Sequence, residues 1–218
     1  MRERHAMAAV LTAAAVLLTG CGGSGDGERK EQDGGRSPAA ALTPAEVKAV
    51  LPRTGDVPGW KPADSMVLDM SKGASAGACA GGKQGECARA RAIGSIVLRK
   101  AGEGELDFRV FAHRDAETAT EAYPFLWKDA SESWITPAEK VSIGTPGDRR
   151  DALRGELETG YGSHVQIRVG PTLLLLRVIT PDGRPHRTDA QLRALGEMFA
   201  ERAREAHDGE LPSAVLRG

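Results

Sequence analysis

The sequence predicts one α+β domain: an antiparallel sheet of about five to six strands, with two or three helices packed mainly on one face. Three observations carry this. Segments of alternating or continuous apolar character outnumber segments of helical period. The connections between consecutive strands are short, which favours antiparallel neighbours. Two strong helix starts bracket the strand-rich middle.

The first helix opens at Thr43-Pro44-Ala45-Glu46, a capping box with proline at the first helical position. Val47, Val50 and Leu51 form its apolar face, and Pro52 stops it. Gly55 to Trp60 is a turn ending on a large anchor, with Trp60 either plugging the core edge or stacking on a ligand. Ser65 to Met70 reads as a short strand, Ile93 to Leu98 as a second, and Glu105 to Ala112 as a third. Gly102-Glu103-Gly104 is the hairpin signal between the last two. Asp115 begins a second helix with Ala116, Ala119, Tyr123, Leu126 and Ala130 at helical spacing. Pro124 inside it predicts a kink or a division, with Trp127 and Trp134 beyond.

Ala152 to Thr159 and Ser163 to Gly170 read as a hairpin closed by Gly160-Tyr161-Gly162. Pairing Thr159 with Ser163 sets Leu157 opposite Val165, Gly155 opposite Ile167 and Leu153 opposite Val169. Glu158, Glu156, Arg154, His164, Gln166 and Arg168 then share the polar face. Gly170-Pro171 turns into Thr172 to Thr180, the most apolar strand. A two-residue connection places Leu174 near Ile167 and Leu176 near Val165, while Leu173 and Leu175 fall beside Arg168 and Gln166. A strand apolar on both faces is usually covered on both. Leu173 and Leu175 therefore lie under a helix or loop, or they line an apolar groove, with Trp60 as a further candidate for a ligand contact. The last helix starts at the capping box Thr188-Asp189-Ala190-Gln191. Leu192, Leu195, Phe199 and Ala203 form its buried stripe, and it ends at His207-Asp208-Gly209.

Charge is close to balance over 218 residues, with 29 basic and 30 acidic side chains. Such a chain has no general pull toward nucleic acid. At the N-terminus, Arg2 and Arg4 precede mostly apolar residues from Ala6 to Leu18, then Thr19-Gly20-Cys21 and a run of Gly, Ser and charge. This is the plan of an export signal, and its apolar middle is shorter than the roughly 20 residues of a spanning helix. Leu18-Thr19-Gly20-Cys21 resembles the lipobox of bacterial lipoproteins. The resemblance implies a diacylglycerol on Cys21, which becomes the first mature residue on the outer face of the cell membrane. The expected organisation is a signal over 1–20, a disordered tether over 21–41 with a reach of roughly 25 Å, a domain over 42–207 and a tail over 208–218. The excess of arginine over lysine, with abundant alanine and glycine, reads as a high-GC coding bias, hence an actinobacterial source.

Cys79 and Cys87 are then an even pair in an oxidising compartment, which predicts a disulfide closing a loop worth about 2.6 kcal/mol by loop entropy. Seven intervening residues and no nearby histidine suit zinc poorly. Gly73-Ala74-Ser75-Ala76-Gly77 matches G-x-S-x-G, but a glycine-rich stretch follows in place of the helix that motif needs. Gly77 to Lys83 has phosphate-loop spacing but Gln84 stands where the magnesium-binding Ser or Thr belongs. His5, His113, His164, His186 and His207 are scattered, and Glu156 with Glu158 reads as a solvated ladder rather than an acid–base pair. No catalytic, cofactor-binding or metal-binding residues are expected.

From Thr43 to Ala206 the arrangement resembles the extracellular sensor-type domain of actinobacterial serine/threonine kinases and its free lipoprotein relatives. The carrying features are Leu42-Thr43-Pro44-Ala45 leading to Asp56-Val57-Pro58-Gly59-Trp60, and the Cys79–Cys87 pair. Leu106 to Phe111 before an Ala-rich helix, and Val165 to Val169 before an apolar strand, extend it. The chain departs in having one cysteine pair where the kinase domains carry two. The resemblance implies a non-enzymatic binding or sensing module, anchored to the membrane, whose partner is a small molecule or an envelope protein. The alternatives are a carrier of a lipid or other apolar envelope molecule, and an envelope hydrolase.

Overall fold

The structure is a computed structural model that describes residues 40–72, 89–129, 132, 134–158, 160–184 and 186–217. Cys21, Cys79, Cys87, the signal, most of the tether and both glycine-rich motif matches lie outside the described residues.

Among the described residues, seven strands form one antiparallel sheet in the order β1-β2-β3-β7-β6-β5-β4. They are β1 (Lys61–Asp69), β2 (Ala90–Lys100), β3 (Gly104–His113), β4 (Ala138–Lys140), β5 (Arg149–Leu157), β6 (Gly160–Val169) and β7 (Thr172–Thr180). The helices are α1 (Pro44–Val50), α2 (Ala116–Asp129) and α3 (Asp189–His207). The fold is α+β as predicted, with more strands than predicted: the short edge strand β4 carries no apolar pattern that would announce it. Both capping boxes form. Thr43 Oγ1 accepts from the Glu46 amide at 3.3 Å, and Thr188 Oγ1 from the Gln191 amide at 3.2 Å. Asp115 Oδ1 accepts from the Thr118 amide at 2.8 Å at the start of α2. That helix runs through Pro124 undivided.

The sheet has an apolar cluster on each face. On one, α1 and α3 cover Leu106, Phe108 and Val110 of β3 and Leu174, Leu176 and Val178 of β7. Phe108 and Phe199 meet edge to face at 5.1 Å. A Cβ at Gly94 would lie 2.6 Å from Val47 Cγ1, so this glycine lets α1 sit directly on β2. On the other face, α2 sets Ala119, Ala122, Tyr123 and Leu126 over Ile93, Phe111, Leu173 and Leu175.

The β6–β7 register is the predicted one: Ile167 pairs with Leu174, Val165 with Leu176, Gln166 with Leu175 and Arg168 with Leu173. The β5–β6 register is not. Leu157 pairs with Gly160 and Gly155 with Gly162, which places Ala152 opposite Val165 and Leu153 opposite His164. The odd shift moves Leu153 to the opposite face from the one predicted. The cause is what the glycines do. A Cβ at Gly160 would come within 2.2 Å of the Thr180 carbonyl oxygen, and one at Gly162 within 2.9 Å of Leu157. They are strand residues that allow close approach, not the turn.

The segment after α3 packs back against the domain. The Leu216 amide donates to the Asp56 carbonyl at 2.8 Å, and Ala214 and Leu216 pack against the core. Glu205 accepts from the Ser213 amide at 2.8 Å and hydroxyl at 2.7 Å.

Candidate functional site

Leu173 and Leu175 are 0% and 3% exposed beneath α2, so the covering helix is the alternative the fold adopts. Tyr123 and Gln166 tie that helix to β6: the phenol donates to the Gln166 carbonyl at 3.0 Å, and the Gln166 amide donates to the Tyr123 carbonyl at 2.6 Å. Burial, with Asp151 nearby, pushes the Tyr123 phenol well above its usual range. Beyond Tyr123, the imidazole of His164 is fully buried, with the Trp127 and Trp134 rings at 5.8 and 6.2 Å. Burial, then the charge of Arg177, lowers its pKa to about 3, so the ring is neutral. Trp60 lies in the cluster on the opposite face of the sheet. The three residues considered for one apolar groove are therefore separated by the sheet, because α2 covers the two leucines while α1 and α3 pack on Trp60's side.

The other histidines do not converge either. His113 is buried near Ala90, and burial lowers its pKa to about 4. His186 meets the Tyr161 ring at a tilt, with centroids 3.8 Å apart, and His207 Nε2 lies 3.0 Å from Thr172 Oγ1. Among the described residues no group of three or more His, Cys, Asp or Glu could hold a metal.

A cavity of about 360 Å³ opens beside Trp60, between the first turns of α3, β3 and the chain end that packs back on the domain. Val57, Trp60, Leu106 and Leu195 are buried in its wall, and Leu216 closes one side. Its polar lining is Arg187, Gln191 and Arg217, and no acidic side chain lines it among the described residues. The Arg187 guanidinium stands 5.3 Å from the Trp60 ring centroid, a cation–π contact. One of its nitrogens, Nη2, lies 3.3 Å from Glu103 Oε2. Arg217 is exposed and meets no carboxylate among the described residues. A second hollow of about 450 Å³, beside Arg89, Arg114 and Glu121, is polar and adjoins the undescribed residues 73–88.

Sequence reasoning identified Trp60 but not its arginines, which carry no periodic signal. It also missed Arg202, wholly buried on α3. A signal was present there: Arg202 follows Phe199 by three residues, the same helical spacing that marks the apolar stripe.

Fold and cavity together define a single-sheet α+β module with a small, apolar, positively rimmed pocket. No protein-family model matches the chain, and no curated protein matches it. Among solved structures, it is similar to the extracellular domain of PknH from Mycobacterium tuberculosis, with a TM-score of 0.52 and 12% sequence identity. The similarity spans 79% of this chain and 100% of that one. At this identity the likeness is one of fold.

Proposed function

We propose that the protein is a lipid-anchored extracytoplasmic module that binds or senses a ligand without transforming it. The observation that carries this reading is the fold likeness over the whole of the PknH extracellular domain, which points the same way as the sequence's resemblance to kinase sensor-type domains. The Leu18 to Cys21 signature supplies the export route and anchor. The Trp60 cavity supports a binding role: it offers apolar surface and the fixed positive charge of arginine, which holds a ligand and does not exchange protons near neutral pH. At about 360 Å³ it is near the lower end of the roughly 300–1,000 Å³ of small-molecule sites.

Native mass spectrometry tests this reading. The full chain, exposed to a small-molecule extract of bacterial envelope, should retain a non-covalent adduct that a control protein does not, and the extract should otherwise come through unchanged. No adduct from any fraction, or conversion of a component, would overturn it.

A further inference from the structure

We propose that the Trp60 cavity takes a small amphipathic anion: an apolar body of medium length that ends in a carboxylate or phosphate. This rests on the reading of the domain as a ligand-binding module and names the site and the chemistry of its ligand.

The lining is divided by depth. Trp60, Leu106 and Leu195 are at most 8% exposed and form the inner wall, where burying an apolar chain removes it from water. Arg187 and Arg217 are the more accessible, charged part of the lining. An uncharged apolar molecule would fill the wall and leave the guanidiniums beside its end. A cationic amphipath would meet like charge there. An anion completes both parts, because a guanidinium fork matches the paired oxygens of carboxylate and phosphate.

Arg187 is held ready for this role. Its cation–π contact with Trp60 and its hydrogen bond to Glu103 through Nη2 hold the guanidinium beside the cavity. The other nitrogens have no further protein partner among the described residues. Glu103, which does not line the cavity, balances part of the charge, and Arg217 keeps the lining net positive. Ala194 offers a way to close the site without cutting into the core, since its small, half-buried side chain lines the cavity from α3.

Isothermal titration calorimetry on the full chain carrying Cys21→Ser, with decanoate, decyl phosphate and decan-1-ol as probes, tests the proposal. At least one anion should bind about tenfold or more tighter than the alcohol, and whichever binds tighter identifies the head group. Arg187→Met should weaken the anion by about tenfold and leave decan-1-ol unchanged. Ala194→Phe, with its thermal unfolding checked against the parent, should remove binding of all three. Equal binding of alcohol and anions, no binding of either anion, or unchanged anion binding in Ala194→Phe would overturn the proposal. An envelope ligand retained by Ala194→Phe in the native mass experiment would sink this site while leaving the ligand-binding reading intact. An empty native spectrum would remove that reading itself.

Discussion

Arg202 Nη1 on α3 lies 3.0 Å from Asp56 Oδ2 in the turn after α1, and the arginine side chain is 0% exposed. The same guanidinium donates to the carbonyls of Ala49 and Val50 at 2.8 Å and of Leu51 at 3.1 Å, which a helix end leaves unpaired. It also donates to the Ala214 carbonyl at 2.9 Å. One buried side chain thus joins the end of α1, the Asp56 turn and the segment after α3. Arg202→Met should cost about 3–5 kcal/mol, because it strands a carboxylate and several carbonyls. Urea unfolding measures it. A loss below about 1 kcal/mol would show that water replaces the guanidinium without penalty.

Leu175→Ala removes a core side chain under α2 and should destabilise the domain by about 2–5 kcal/mol. Decanoate binding to the folded variant should match the parent, since Trp60 is on the other face of the sheet. Thermal unfolding and calorimetry on the same sample decide this. A stable variant with altered binding would place a ligand groove under α2.

Stability should fall as pH is lowered below about 6.5. Burial holds the pKa of His164 at about 3 and of His113 at about 4, against 6.5 for an unperturbed histidine. Between those values the unfolded chain binds protons that the folded chain refuses, so each ring contributes up to about 1.4 kcal/mol of lost stability per pH unit. The loss ends as pH passes below the folded pKa. Urea midpoints at pH 7 and pH 5 should differ, and His164→Asn should remove one ring's share. An unchanged slope in the variant would show that His164 is hydrated.

Cys21→Ala should abolish incorporation of a fatty-acid analogue and release the protein from the membrane, as the Leu18 to Cys21 signature implies. Equal label in parent and variant would remove the lipoprotein reading.

Cys79 and Cys87 should be found linked by mass spectrometry of non-reduced protein from the envelope, because an exported chain carries them as an even pair. Two free thiols would end that reading.

Local chemistry alone determined a large part of this fold. The boxes at Thr43 and Thr188 are written in four residues each, and the helices begin there. The stripe of α3 follows from its period. The β6–β7 register follows from a short turn at Gly170-Pro171 joining two strands of clear pattern. Tertiary packing decided the rest. Glycine is equally at home in a turn and in a strand pressed against its neighbour, so only the crowding of Gly160 and Gly162 against Thr180 and Leu157 set the β5 register. Whether Leu173 and Leu175 faced a helix or open space depended on where α2 docked. The burial of Arg202 and the meeting of Trp60, Arg187 and Leu216 around one cavity join segments far apart in the chain. Turn and cap signals act over a few residues. Contacts between distant segments are selected by the packing of the whole chain, and no short stretch of sequence encodes them.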